Sequence, residues 1–149
     1  MDAVVLIGLQ ASGKSSFCRE RFWRSHVRIS LDMLKTRHRE RLLLDCCLAM
    51  RQAFVVDNTN PSAAERAVYL AAARAAGFAV SGYYFQSRVA ECLERNRRRP
   101  EADRVPDKGI YGTAARLELP RLAEGFDLLR YVRLGPDGSW IVEEWNDAI

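Results

Sequence analysis

The segment Gly8–Ser15 restricts the possible folds of this chain more than any other feature of its sequence. It matches the spacing GxxxxGK(S/T) in full, and its residues are Gly8-Leu9-Gln10-Ala11-Ser12-Gly13-Lys14-Ser15. The continuous apolar run Ala3–Ile7 precedes it and is typical of a strand covered on both faces of a sheet. A loop between such a strand and a helix turns several backbone N–H groups toward one point, where they bind phosphate oxygens. This placement disfavours a chance match in a glycine turn.

The loop predicts a nucleoside triphosphate and Mg²⁺ as ligands. Lys14 can bridge the β- and γ-phosphates, and the hydroxyl of Ser15 is suited to Mg²⁺. We expect ATP to contact the loop and the first turn of the following helix, at Gly8, Gln10, Ala11, Ser12, Gly13, Lys14, Ser15 and Ser16. The loop does not indicate which molecule receives the phosphate.

Strands and helices alternate along the rest of the chain. Further strands are predicted at Val27–Ser30, Ala53–Asp57 and Val80–Phe85, and helices at 15–24, 32–52 and 88–98. The segments Leu128–Leu134 and Ser139–Trp145 flank a Gly-Pro-Asp-Gly turn and predict a C-terminal hairpin. The pattern predicts one α/β domain over residues 1–149, with a mostly parallel sheet flanked by helices.

A capping-box pattern at Ser62 and Glu65 opens one more helix, and Gly77 fits its end. The small apolar residues of this helix predict a buried stripe of Ala64, Ala67, Val68, Ala71 and Ala75.

Composition limits what else the chain can be. Of 149 residues, 48% are apolar and 28% are charged, which supports one buried core and excludes a disordered chain. The apolar runs are too short to span a bilayer, and no basic stretch precedes the first of them. We therefore expect neither a membrane segment nor a secretory signal. The four cysteines have no metal-binding spacing, which predicts free thiols and a cytoplasmic location.

Positive charge is concentrated in residues 19–41. The net charge of the chain is 23 − 19 = +4, and this segment alone has eight basic and three acidic side chains, or +5. Most of the basic residues are arginines, whose planar guanidinium makes bidentate contacts to phosphate. Charge by itself favours a solvated surface over a polyanionic partner.

Two carboxylates follow predicted strands and should therefore lie at the sheet edge that carries the phosphate loop. Asp32 follows Val27–Ser30, and its position leaves two roles open, general base for an acceptor hydroxyl or helix cap. Lys35 and Arg37 come next and suit an acceptor that carries phosphates of its own. Asp57 ends the third strand, where it is favoured as an acid close to Mg²⁺, although Asx turns are also expected there.

A cluster of arginines precedes a segment rich in proline and glycine. Arg95 and 97–99 lie at the end of a predicted helix, residues 99–112 are expected to be a mobile loop, and a short helix is expected around 113–119. An arginine on such a lid can fold over the γ-phosphate and offset charge during transfer. The alternative is a solvated helix end that complements the helix dipole.

Three strings in this order resemble the kinase domain of polynucleotide 5′-hydroxyl kinases. They are Val55-Val56-Asp57-Asn58-Thr59-Asn60-Pro61, then Val105-Pro106-Asp107 with Tyr111-Gly112, then Leu122-Ala123-Glu124-Gly125-Phe126. The resemblance runs from about Val4 to about Leu134. It implies a P-loop kinase fold with an arginine-bearing lid, and ATP-dependent phosphorylation of the 5′-hydroxyl end of DNA or RNA.

The resemblance also implies roles for single residues. Lys14 and Ser15 fall on the phosphate and metal positions, Asp32 on the general base and Asp57 on the acid after the third strand. Lys35 falls where the family usually has an arginine that holds the 3′-phosphate of the acceptor, and Arg98 or Arg99 falls on the lid arginine. Leu31 stands where an arginine is frequent, so both departures from the pattern lie on the acceptor side.

Three functions remain open from the sequence. The first is a stand-alone kinase of nucleic-acid 5′ ends, with no membrane and no obligate protein partner. The second is a P-loop kinase of a small-molecule hydroxyl, such as a nucleoside, a sugar, an antibiotic or a toxin-type target. The third is a nucleotide-binding regulatory module, which would need neither Asp32 nor an arginine lid. The basic segment 19–41 and the later strings favour the first.

Overall fold

The computed structural model describes residues 1–146, whose six strands form one sheet. The strands are β1 (Asp2–Ile7), β2 (Val27–Ile29), β3 (Phe54–Val56), β4 (Ala79–Phe85), β5 (Leu128–Leu134) and β6 (Trp140–Glu144). The helices are α1 (Lys14–Phe22), α2 (Leu31–Leu34), α3 (Arg37–Met50), α4 (Ala63–Ala75), α5 (Val89–Arg98) and α6 (Asp107–Arg116). None of the helices in residues 1–146 is long and apolar enough to cross a lipid bilayer.

The sheet has the order β2-β3-β1-β4-β5-β6, in which β1 to β5 are parallel and β6 is antiparallel. The predicted α/β class, the mostly parallel sheet and the C-terminal hairpin are therefore confirmed. Strand β1 lies inside the sheet between β3 and β4, and Ala3–Ile7 is buried throughout. The carboxyl ends of β1, β2 and β3 meet at one edge, which places the phosphate loop, Asp32 and Asp57 together.

Helices cover both faces of the sheet. Phe17, Cys18 and Phe22 of α1 pack on one face, against the β1 residues Val4 and Leu6. Helices α3 and α4 cover the other face through the buried side chains Leu44, Cys47, Tyr69 and Leu70. A smaller cluster joins the phosphate loop to α5 and α6, and consists of Leu9, Cys92, Leu93 and Ile110.

Two predicted segments differ from the structure. The helix expected at 32–52 is divided, because Lys35 has a φ of 74° and ends α2 after one turn. Thr36 then caps α3 by accepting a hydrogen bond from the N–H of Arg39 at 3.1 Å. The loop expected over 99–112 is wrong in its second half, where α6 begins at Asp107. The backbone just before α6 is held by Asn96, whose side-chain amide exchanges hydrogen bonds of 2.7 and 3.1 Å with the backbone of Val105.

The predicted buried stripe of α4 is wrong, whereas its capping box and its stop at Gly77, with a φ of 79°, are confirmed. The five expected positions, Ala64, Ala67, Val68, Ala71 and Ala75, are all exposed. The buried side chains are Arg66, Tyr69, Leu70 and Ala73. Hydrogen bonds to distant residues determine which face of α4 is buried. Arg66 donates to Glu124 at 2.8 and 3.1 Å, and Tyr69 donates to Glu40 at 2.8 Å.

A substitution of Arg66 tests this packing, because the Arg66 side chain is fully buried. Its guanidinium also donates to the carbonyl oxygens of Asn60 and Pro61. Arg66→Met leaves these carbonyls and Glu124 without their partner. We therefore expect the free energy of unfolding, measured in urea, to fall by about 3–5 kcal/mol. Arg74→Met, on the exposed side of the same helix, is the matched control and should change stability by less than about 1 kcal/mol. Equal effects of the two substitutions would contradict this account of the buried face.

Candidate active site

The phosphate loop is held in shape by the lysine that is expected to bind phosphate. Lys14 is buried, and its Nζ donates hydrogen bonds to the carbonyl oxygens of Gly8 at 2.8 Å and Leu9 at 2.7 Å. Gly13, with a φ of 103°, is the N-cap of α1 and turns the chain into the helix. Ser16 lies exposed in the first turn of α1. The first residues of a helix offer free N–H groups, so the predicted ATP-binding residues lie where an anion is favoured.

The pKa of Lys14 is shifted by its burial and by the charged side chains around it. Burial lowers this pKa to about 8, the carboxylate of Asp57 raises it, Arg99 lowers it and Asp32 raises it. These effects require all three side chains to lie within electrostatic range of the Lys14 ammonium. The structure therefore brings the predicted phosphate-binding lysine, both predicted carboxylates and one predicted lid arginine to one region.

Asp57 lies at the centre of the expected metal position. Its buried Oδ2 accepts hydrogen bonds from Ser15 Oγ at 2.9 Å and from Arg28 Nε at 2.8 Å. A hydroxyl next to a carboxylate fits Mg²⁺, which is bound in proteins by one or two such oxygens together with substrate phosphates and water. Within the described residues no group of three or more His, Cys, Asp or Glu side chains has a metal-binding arrangement. Ser15 and Asp57 are thus the protein groups that fit the ion.

The residues after Asp57 connect the phosphate loop to the helix that carries Asp32. Asn58 Oδ1 accepts a hydrogen bond from the N–H of Leu31 at 2.9 Å, and Asn58 Nδ2 donates to Glu40 at 2.9 Å. The carbonyl oxygen of Thr59 accepts from the N–H of Gly8 at 3.0 Å, and Asn60 Nδ2 donates to the carbonyl oxygen of Leu6 at 2.7 Å. We call residues 57–60 the bracket. Asn60 Nδ2 also donates to the carbonyl oxygen of Asn58 at 3.4 Å, so the bracket contains a side-chain turn contact beside the predicted metal site.

Asp32 lies in the first turn of α2 and is exposed. The N-cap of α2 is Ser30, so the interpretation of Asp32 as a helix cap is wrong. No side chain or backbone group in residues 1–146 forms a hydrogen bond or ion pair with the Asp32 carboxylate, which leaves it free to meet a substrate. Lys35, three residues later, is also exposed. Arg37 instead donates to Glu40 at 2.9 Å and to the hydroxyl of Tyr69 at 3.1 Å.

Helix α5 directs two of its arginines toward the loop. Arg95 Nη1 donates to the carbonyl oxygen of Ala11 at 3.1 Å, and Arg99 acts electrostatically on Lys14. Arg98 is exposed and pairs with Glu94 at 3.4 Å, so the structure does not bring it to the loop. Arg95 was one of four candidate lid arginines in the sequence, but the resemblance pointed to Arg98 or Arg99 instead. The burial of Cys92 in the structure distinguishes Arg95 and Arg99, because they lie three and seven positions after it and share its side of the helix.

Two further elements close on the loop. Gln10 Nε2 donates to Thr113 Oγ1 of α6 at 3.0 Å. On the other side the indole of Trp140 in β6 covers Gly13, where an added Cβ would lie 2.5 Å from the ring. Trp140 also donates to Glu20 at 2.8 Å. The sequence predicted the hairpin but gave it no role at the site, because a contact between β6 and the loop has no local pattern.

The family of the chain follows from a comparison with known proteins. Residues 4–120 match the model of the AAA_33 family, an AAA domain. The chain belongs to this family. The bifunctional polynucleotide phosphatase/kinase of Schizosaccharomyces pombe is 25% identical over 129 residues, which cover 84% of this chain and 32% of the relative. The chain thus spans about a third of the length of that curated relative.

Two solved structures have a fold similar to that of this chain. Kti12 of Chaetomium thermophilum, in complex with ADP-AlF3, superposes with a TM-score of 0.68 at 16% identity over 88% of each chain. A gluconokinase from Sinorhizobium meliloti 1021 superposes with a TM-score of 0.59 at 19% identity, over 87% of this chain and 82% of the other. The fold is that of P-loop kinases, as the sequence predicted.

The lowered pKa of Lys14 predicts that nucleotide binding takes up protons. With a pKa of about 8, the free protein carries a mostly neutral Lys14 at about pH 8.5. Nearby phosphates favour the charged ammonium and raise the pKa again. Calorimetric titration with MgATP in buffers of different ionisation enthalpy should therefore show uptake of most of one proton at about pH 8.5 and little at about pH 7.

Lys14→Arg is the control for this titration, because its guanidinium stays charged throughout this range. This variant should bind MgATP without proton uptake. A wild-type binding enthalpy that does not depend on the buffer at the higher pH would contradict the lowered pKa.

Proposed function

We propose that this chain transfers the γ-phosphoryl group of ATP to the 5′-hydroxyl end of a nucleic acid strand. The observation that carries the proposal is the Asp32 carboxylate, which is exposed, has no partner in residues 1–146, and acts on the same Lys14 ammonium as Asp57. A nucleotide-binding module needs no free carboxylate beside its phosphate loop. A phosphoryl transferase needs one to orient the acceptor and take its proton.

The proposed reaction is an in-line displacement. The acceptor hydroxyl oxygen forms a bond to the γ-phosphorus, the bond from that phosphorus to the bridging oxygen of ADP breaks, and the hydroxyl proton passes to Asp32. Lys14 leaves its loop carbonyls to pair with the β- and γ-phosphates, and Arg95 or Arg99 offsets charge on the transferring group. Ser15 and Asp57 would hold Mg²⁺, which would neutralise phosphate charge when bound.

Three observations support a nucleic acid over a small neutral acceptor. The exposed Lys35 lies one helical turn from Asp32, where it can pair with a phosphate of the acceptor. The segment 19–41 has a charge of +5. The curated relative that matches 84% of the chain is a polynucleotide phosphatase/kinase. A small-molecule kinase remains the competing function, and a panel of acceptors distinguishes the two.

The test is transfer of labelled γ-phosphate from ATP to 5′-hydroxyl DNA, 5′-hydroxyl RNA, nucleosides, sugars and aminoglycosides. We expect transfer to the 5′ ends. Asp32→Asn should keep the fold and bind ATP but lose at least about 100-fold in turnover, as expected when a general base is removed. Asp45→Asn, an exposed aspartate of α3 paired with Arg41, is the matched control and should retain turnover. Near-normal turnover of Asp32→Asn would refute the base, and transfer only to a small molecule would refute the acceptor.

Lys35→Ala tests the acceptor side separately. A charge-assisted contact to phosphate is worth about 1.5–3 kcal/mol, so KM for a nucleoside 3′-monophosphate should rise roughly tenfold or more. KM for ATP should not change. Lys35→Arg keeps the charge and should retain a low KM. Alanine and arginine both place a Cβ at this positive-φ position, so backbone strain is equal in the two variants. Equal effects of Lys35→Ala on both substrates would exclude the acceptor role.

A further inference from the structure

A groove of about 270 Å³ lies beside α1, and the proposed chemistry uses only one end of it. Its floor is formed by the buried Cys18 and Phe22, and Arg19 and Arg28 line it above this floor. Strand β2 is an edge strand of the sheet. No element within residues 1–146 therefore continues the sheet beyond the groove on that side.

The groove begins at the candidate metal site. Ser15 lines one end of it, and Arg28 on its wall shares the Oδ2 atom of Asp57 with Ser15. Trp23 lies at the other end, eight residues further along the helix and its cap. At 1.5 Å per residue the distance along the helix is about 12 Å. This length corresponds to about three to four nucleotides at the 3.4 Å rise of a strand whose bases are stacked as in a duplex.

The path has a free cation, Arg19, and a free aromatic ring, Trp23, whereas Arg28 at its inner end is paired with Asp57. Trp23 is 78% exposed, the largest value among the exposed large hydrophobic side chains of residues 1–146. Arg19 has neither a hydrogen bond nor an ion pair in the described part of the chain. The neighbouring acid, Glu20, is occupied by the indole N–H of Trp140. A second hollow of about 410 Å³ shares Arg19 and Trp23 with this groove and is also lined by Glu20, Arg21 and Arg24.

This combination has the chemistry of a single-strand site. Proteins that hold single strands line a positive groove with aromatic side chains, on which bases stack without sequence preference. Arg19, Arg21 and Arg24 against Glu20 give the positive charge, since Arg28 is paired with Asp57. Trp23 gives the stacking surface. A neutral small acceptor or an apolar peptide would leave the Arg19 guanidinium without a counter-charge.

We propose that the α1 groove holds the nucleic acid strand that continues on the 3′ side of the accepting nucleotide. A base stacks on Trp23, and backbone phosphates pair with Arg19. The inference rests on the proposed function and adds a second contact region outside the reacting centre. It predicts that a longer acceptor binds better than a minimal one, and that this advantage depends on α1.

The test compares two acceptors, a nucleoside 3′-monophosphate and a single-stranded 5′-hydroxyl oligonucleotide of about eight nucleotides. Wild type should have a lower KM for the oligonucleotide. Stacking is worth about 1–3 kcal/mol per base, so Trp23→Ala should raise the oligonucleotide KM roughly tenfold and leave KM for the monophosphate and for ATP unchanged. Trp23→Phe retains an aromatic face and should restore most of the advantage.

Charge is tested by the same comparison at several salt concentrations. Arg19→Ala should reduce the magnitude of the salt slope for the oligonucleotide by about 0.7, the value for one phosphate contact of a single strand. Arg41→Ala on α3, whose guanidinium pairs with Asp45, is the matched control and should leave the slope unchanged.

The possible outcomes separate this inference from the activity itself. Two results would refute strand binding in the groove without refuting the kinase activity. One is equal KM values of wild type for both acceptors, and the other is a Trp23→Ala variant that changes both KM values alike. Self-association of wild type that Trp23→Ala abolishes, with no change in the oligonucleotide KM, would assign the groove to a second copy of the chain and also overturn the proposal. Wild type that phosphorylates neither acceptor would instead refute the proposed function.

Discussion

One carboxylate oxygen organises the centre of this protein. Asp57 Oδ2 is buried and holds both the hydroxyl of Ser15 and the guanidinium of Arg28. Ser15 belongs to the phosphate loop and Arg28 to the edge strand β2, so this single atom joins the start of α1 to the outer strand of the sheet. A buried charge is tolerated only when it is paired and hydrogen-bonded. The positions of β1, β2 and β3 are therefore constrained relative to each other at the edge where ligands bind.

The rest of the bracket extends this constraint to the acceptor side. Through Asn58, the strand that carries Asp57 also holds the first N–H of α2 and the buried Glu40 of α3. The hydroxyl of Tyr69 donates to the same glutamate, and burial together with this hydrogen bond raises the pKa of Tyr69 to about 12. The phenol therefore stays protonated and a donor at any ordinary pH. The short helix with Asp32 thus rests on an uninterrupted polar network, while its own carboxylate stays outside that network.

Sequence reasoning succeeded where a structure is encoded locally. The spacing from Gly8 to Ser15, the apolar strands and the Ser62–Glu65 capping box each depend on neighbours within a few residues, and the corresponding elements are present. It failed where burial is decided by a distant partner. The inner face of α4 contains Arg66, whose partner Glu124 is 58 residues away, and no helical pattern predicts a buried arginine. Apolar periodicity therefore selected the wrong face.

The candidate site also has a part that is encoded by local sequence and a part that depends on distant contacts. The residues predicted for the nucleotide side form one contiguous motif, so local spacing is enough to predict them together. The lid needed three-dimensional information, because four nearby arginines look equivalent in sequence and only the packing of Cys92 and Asn96 separates those that face the loop. Arg28 and Asn58 were missed as site residues because an arginine in a strand and an asparagine in a turn are common. Their importance comes from atoms more than twenty residues away along the chain.

The position of Trp140 has a consequence for biosynthesis. Its indole closes one wall of the phosphate loop at Gly13 and is bonded to Glu20 across 120 residues of chain. During synthesis the glycine loop leaves the ribosome before the hairpin, so it acquires this wall only later. A nascent fragment that ends before β6 therefore displays the loop without the contact of Trp140 on Gly13.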